Sequence, residues 1–156
     1  MTVFPTSGYP RKRRPPRTSV RTEAPLRLIS QTTGTATLIE WAKLALGDAN
    51  TQVLRVVRVR RDTAFGTLVE QIVLPLDKFP GLTDGDTVTD VAELAERFGL
   101  QVASVSERIT FVEAPGDVVR HLGIVAGAGV VKLERITETS DGQPIEWRVT
   151  YAWKEV

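Results

Sequence analysis

The sequence predicts a single α+β domain built on a central antiparallel sheet flanked by helices. Three observations carry this. Four β-branched or alternating runs are each ten or so residues long and are separated by turn residues. Short helical patterns with start and stop signals lie between them. The second half of the chain repeats the order of the first, helix, strand, turn, strand, at an offset of about 76 residues.

The elements follow in order. Residues 1–25 hold Pro5, Pro10, Pro15, Pro16 and Pro25 and no apolar periodicity, so they are expected to be an extended, disordered, basic tail. The folded domain is expected over residues 26–156. Leu26, Leu28 and Ile29 suggest a short strand. Thr35 to Leu46 places Leu38, Trp41, Ala42 and Ala45 at helical spacing, with Gly47 as the stop. Val53 to Arg61 and Leu68 to Leu74 read as strands joined near Gly66, and Pro80-Gly81 marks a turn. Thr89 to Phe98 reads as a helix with Thr89 as its N-cap and Gly99 beyond its end. Leu100 to Val112 alternates as a long strand. Pro115 opens a helix that ends at Gly123. Val130 to Thr139 and Pro144 to Trp153 form a hairpin around Asp141-Gly142.

The repeat matches Val53-Leu54-Arg55-Val56-Val57-Arg58 to Val130-Val131-Lys132-Leu133-Glu134-Arg135, and Glu70 to Glu146. Two copies of one unit imply a pseudo-twofold domain whose hairpins share one sheet.

Composition removes several chemistries. The 156 residues contain no cysteine, which excludes disulfides, zinc knuckles and thiol nucleophiles. His121 is the single histidine, no nucleophile elbow accompanies it, and no metal-ligand spacing stands out. Gly127-Ala128-Gly129 follows a helix and precedes a strand, the reverse of a dinucleotide loop. The longest apolar run, Leu122 to Val131, is too short to span a bilayer, and no secretory signal follows the N-terminus. No catalytic residue, metal or cofactor is expected, and a cytoplasmic location is. The net charge of +1 divides unevenly: residues 1–27 carry seven bases against one acid, and the rest is mildly acidic. The run Arg11-Lys-Arg-Arg14 could touch nucleic-acid phosphates weakly or be a solvated tail.

Arg58 and Arg60 share a strand face about 6.6 Å apart, beyond the apolar Leu54 and Val56. Such a pair can converge on a phosphate or carboxylate, or simply emerge into water. Glu70 and Glu146 each interrupt an apolar strand, so each needs a partner. A structural bridge to Arg58, Arg60 or Arg135 and a ligand contact explain them equally well.

Residues from about Thr18 onward resemble the UTRA domain, the effector-binding half of the HutC subfamily of GntR-type bacterial transcription regulators. The resemblance rests on Val53 to Arg60, on Leu74-Pro75 through Phe79-Pro80-Gly81-Leu82, on Thr89 to Leu100, and on Val131 to Arg135 followed by Asp141-Gly142-Gln143-Pro144-Ile145-Glu146. It implies a chorismate-lyase-like fold and a sensor of a small organic anion, such as a phosphosugar, an organic acid or an amino-acid-like compound. By this resemblance Arg58 and Arg60 take the anion, Glu70 and Glu146 take polar groups of the ligand, Thr89 marks a helix start that favours anions, and Tyr151 stands for the pocket tyrosine. It also implies a homodimer. Val91 departs from the family's frequent tyrosine, and the winged helix-turn-helix is expected to be missing. The alternative is a chorismate-lyase-like enzyme acting on a small organic anion.

Overall fold

The computed structural model describes residues 11–13 and 26–155. Seven strands form one sheet: β1 (Arg11–Arg13), β2 (Leu26–Thr35), β3 (Gln52–Asp62), β4 (Gly66–Pro75), β5 (Val102–Glu113), β6 (Gly129–Thr139) and β7 (Pro144–Trp153). Their order is β1-β5-β6-β7-β4-β3-β2, and every neighbouring pair is antiparallel. The described residues also form three short helices: α1 (Leu38–Lys43), α2 (Val91–Arg97) and α3 (Gly116–Leu122).

Alternation along the strands divides the core in two. Leu54, Val56, Ile72 and Leu74 point to one face, where α2 and the preceding loop bury them beneath Phe79, Leu82, Val88, Val91 and Leu94. Val59, Val69, Val149 and Tyr151 point to the other face, under Val118 of α3, and Val53 and Val73 pack there on Leu44 and Leu46 after α1. Both faces of the central strands are covered, which explains their nearly continuous apolar runs.

The two hairpins of the repeat meet at the centre of the sheet, where β4 pairs with β7. There Ile72 lies opposite Arg148, its own equivalent 76 residues later. A residue paired antiparallel with its own repeat copy lies on the local twofold axis, so the expected pseudo-symmetry axis passes between these two.

Several boundaries differ from the sequence reading. Part of the proline-rich tail, Arg11–Arg13, pairs with Glu107 to Val105 of β5, and the remainder of residues 1–25 lies outside the described residues. β2 runs on through Thr35, carried by its ladder to β3 in spite of a weak apolar pattern. Thr37, rather than Thr35, starts α1 with a reciprocal capping box to Glu40. The helix stops at Leu44 with Ala45 at φ 48°; Leu46 N–H donates to Trp41 O and Ala45 N–H to Ala42 O. That is a Schellman closure, and it uses an alanine where Gly47 was expected to act. α2 is capped by Asp90 and not by Thr89: its carboxylate accepts from Ala92 and Glu93 N–H. Gly123 at φ 66° and Gly142 at φ 81° close α3 and the last hairpin as expected.

Candidate functional site

Beside the N-terminus of α2, the same sheet face turns from apolar to charged. Arg58 on β3 lies directly across from Glu70 on β4. Its Nε donates to Glu70 Oε1 at 2.9 Å, and its Nη1 donates to the carbonyls of Val88 and Thr89 at 2.8 and 2.9 Å. Arg60, two residues on, brings its Nε to 3.0 Å from the same Oε1. Arg148 Nη1 reaches Glu70 Oε2 at 3.0 Å. Its Nε and Nη2 clasp Glu146 Oε2 at 2.8 and 2.7 Å, and Thr137 Oγ1 donates to Glu146 Oε1 at 2.8 Å. Three guanidiniums and two carboxylates thus form one connected cluster centred on the pseudo-twofold axis.

Burial grades its members. The two glutamates are 1% exposed and Arg58 is 4% exposed. The side chain of Arg148 is 12% exposed and that of Arg60 is 35% exposed. Burial would push the Glu70 carboxyl up, but Arg148, Arg58 and Arg60 outweigh it and hold it below the usual glutamate value. Burial likewise opposes the Arg148 charge, yet Glu146 and Glu70 raise its pKa further above the ordinary arginine value. Burial lowers that of Arg58, although an arginine stays protonated at any accessible pH.

The cluster therefore brings together Arg58, Arg60, Glu70 and Glu146, as the sequence reading anticipated, and adds Arg148, which that reading missed. Two signals pointed to Arg148: it sits two residues after Glu146 on the same strand face, and the repeat aligns it with the fully buried Ile72. Arg135 is not in the cluster; it pairs with Glu107 at 3.2 Å on the neighbouring strand. All four glutamate oxygens are engaged by arginine or threonine, which is the geometry of a structural bridge.

The other two expected residues stand apart. Thr89 contributes its backbone carbonyl to Arg58, while the helix terminus it was expected to open is occupied by the Asp90 carboxylate. Tyr151 faces the opposite side of the sheet, packed with Val69, Val118 and Val149. The side-chain period of a strand is two, so a one-residue offset changes faces, and Thr150 takes the position opposite Glu70. Trp147 and Trp153 pack partly buried against the same cluster as Tyr151.

The opposite face carries a second ion pair. Arg55 Nε and Nη2 donate to Glu40 Oε2 and Oε1, both at 2.7 Å, beside an open cleft of about 220 Å³ lined by Val57, Val73, Trp147 and Val149. Among the described residues no group of three His, Cys, Asp or Glu could hold a metal ion, and no helix is long and apolar enough to cross a membrane.

The family model of the UTRA domain matches residues 23–153. No curated protein sequence matches the chain. Among solved structures, the chain is similar to the ligand-binding domain of a protein described as a GntR-family regulator from Bordetella bronchiseptica. The TM-score is 0.74 at 23% identity, covering 85% of this chain and 86% of that one. It is similar to the effector domain of PhnF from Mycobacterium smegmatis, with a TM-score of 0.73 at 20% identity over 83% and 80% of the two chains. It is also similar to a GntR-family regulator from Enterococcus faecalis, with a TM-score of 0.71 at 19% identity over 85% and 98%. Against PhnF crystallised beyond its effector domain, the match spans 57% of that chain. This chain belongs to the UTRA domain family and has the α+β fold of GntR-regulator effector domains.

Proposed function

We propose that the domain senses a small organic anion, a phosphosugar, an organic acid or an amino-acid-like compound, held chiefly by Arg60 at the open end of the charged cluster. The observation that carries this is the state of Arg60. It is the most exposed of the three arginines, its Nε is buried without a hydrogen-bond acceptor, and among the described residues nothing accepts from its Nη groups. The cluster also holds three arginines against two glutamates, so a negatively charged ligand would meet an uncompensated positive charge. Arg58 contributes by orienting Glu70 and the loop carbonyls of Val88 and Thr89, with Thr89 at the rim. Glu70 and Glu146 act through the arginines, and Tyr151 acts from behind the sheet.

Phosphosugars, organic acids and inorganic phosphate screened by thermal shift test the reading, because a ligand that binds the folded state raises Tm. A charge-assisted hydrogen bond contributes about 1.5–3 kcal/mol. Arg60→Ala should therefore weaken a ligand found in the screen by roughly ten- to a hundred-fold. Arg60→Lys should restore part of this, since an ammonium lacks the planar fork. Arg61, on the opposite strand face, is the control. Wild-type affinity in Arg60→Ala would place the anion elsewhere.

The same reading assigns the chain to the HutC subfamily and, through family relatives, to DNA-binding regulators, with weak nucleic-acid contact by the basic tail. It also assigns a homodimer. The sheet edge β2 with its exposed Leu26 and Leu28, and the exposed Leu38 and Ile39 of α1, support that assembly. Light scattering that finds monomer alone at micromolar concentration would refute it.

A further inference from the structure

Glu70 receives its arginines on different oxygens. Oε1 lies between the Nε groups of Arg58 and Arg60, at 2.9 and 3.0 Å, while Oε2 is held by Arg148 at 3.0 Å. A carboxylate gripped on one oxygen cannot rotate its other oxygen away. The grip is itself anchored, because Arg148 also donates twice to Glu146, whose second oxygen is fixed by Thr137. The Nε of Arg60 therefore lies 3.0 Å from a fixed oxygen without a hydrogen bond to it.

We infer that Arg148 is the positioning residue of the anion site, holding Glu70 in place between Arg58 and Arg60 and supplying the third guanidinium that leaves the cluster one positive charge in excess. The inference rests on the reading of Arg60 as the anion contact. It follows from the repeat as well as from the distances. An isoleucine at position 148, matching its repeat equivalent Ile72, would leave Glu70 and Glu146 on one sheet face on either side of an apolar pair. Arg148 breaks the symmetry at the axis, where one side chain can reach both acids. Without it two arginines face two glutamates, and the net attraction for an anion disappears.

Calorimetric titration of the full chain with inorganic phosphate at low ionic strength tests this on wild type, Arg148→Met and the double variant Arg148→Met/Glu70→Gln. Methionine keeps much of the apolar volume of the stem. Arg148→Met should lose about ten-fold or more in phosphate affinity, the scale of one removed close charge. The double variant again has one cation in excess, two arginines against Glu146. It should recover most of the loss, because the excess positive charge returns and the introduced amide oxygen can still accept from Arg58 Nε. A residue that merely braces the fold would leave the double variant as weak as the single one, and that result overturns the inference. So does phosphate affinity in Arg148→Met within two-fold of wild type. Arg148→Lys guards against a failure to fold: it keeps the charge but cannot present the fork to two acids. A folded lysine variant that binds like wild type would remove the positioning role. Wild-type protein that binds neither phosphate nor phosphosugars would overturn the anion reading itself, and this inference with it.

Discussion

Arg58 and Arg60 are alike in sequence and unlike in the fold, and replacing each by alanine should separate their roles. Arg58→Ala removes a 4% exposed guanidinium that satisfies Glu70 Oε1 and the carbonyls of Val88 and Thr89. Each buried acceptor left unpaired costs about 1–3 kcal/mol, and breaking a buried ion pair costs about 3–5 kcal/mol when the partner is stranded. Glu70 keeps Arg60 and Arg148, so its own loss is partial. The sum is about 3–5 kcal/mol, and for a domain of this size about 1 kcal/mol moves Tm by roughly 4 °C. Arg58→Ala should thus melt about 10–20 °C below wild type. Arg60→Ala removes a side chain that is more than a third exposed, whose pairing is screened by water and worth about 0–1 kcal/mol, so its melt should shift by only a few degrees. Differential scanning calorimetry on the three proteins without ligand measures both shifts. An Arg58→Ala variant melting within about 2 °C of wild type would show that water replaces the guanidinium at Val88 and Thr89, and the division of roles would collapse.

Other outcomes follow from the same contacts. Glu40, Glu70 and Glu134 all have carboxyl pKa values held below the ordinary 4.5 in the folded state, so their stabilisation is present above that value and lost as pH falls through the lower folded values. Tm should be level near neutrality and fall as pH drops below about 5, and Glu70→Gln should make the acid limb shallower. Thr137→Val removes a buried hydrogen bond to the Glu146 carboxylate and should cost about 1.5–3 kcal/mol in urea unfolding. Ala45→Gly relieves a left-handed alanine at the end of α1 and should raise stability by about 0.5–1 kcal/mol in the same assay. Gly142→Ala, with open space around its Cβ, should cost about 1–2 kcal/mol for the positive φ alone. Gly66→Ala should cost clearly more, because its Cβ would meet the Trp153 carbonyl and the Lys154 backbone.

Elements whose signals are local were legible before any tertiary contact was known. Pro115 and Gly123 bracket α3, and Asp141-Gly142 sets the last hairpin, because a fixed φ, a missing N–H and a positive φ are properties of single residues. Strand alternation placed Arg58 and Arg60 on one face correctly, and the repeat anticipated a shared sheet with a twofold axis. Cap position was less legible: Thr89 and Asp90 are both good caps, and packing of Val91, Leu94 and Ala95 chose the phase. Tyr151 shows the limit sharply. Its strand was evident, but which face it takes depends on the registers of β4 and β6 against β7, and an error of one residue reverses it. Arg148 was hidden for the opposite reason. Its spacing from Glu146 and its repeat match to Ile72 do not by themselves mark an arginine as buried; it becomes the centre of the site because antiparallel pairing of two distant hairpins sets it opposite Ile72, within reach of both glutamates. Residue chemistry and local period limited which groups could form the site. The long-range register of the sheet selected which of them meet, since a hydrogen-bonded ladder between segments 76 residues apart leaves no trace in either segment alone.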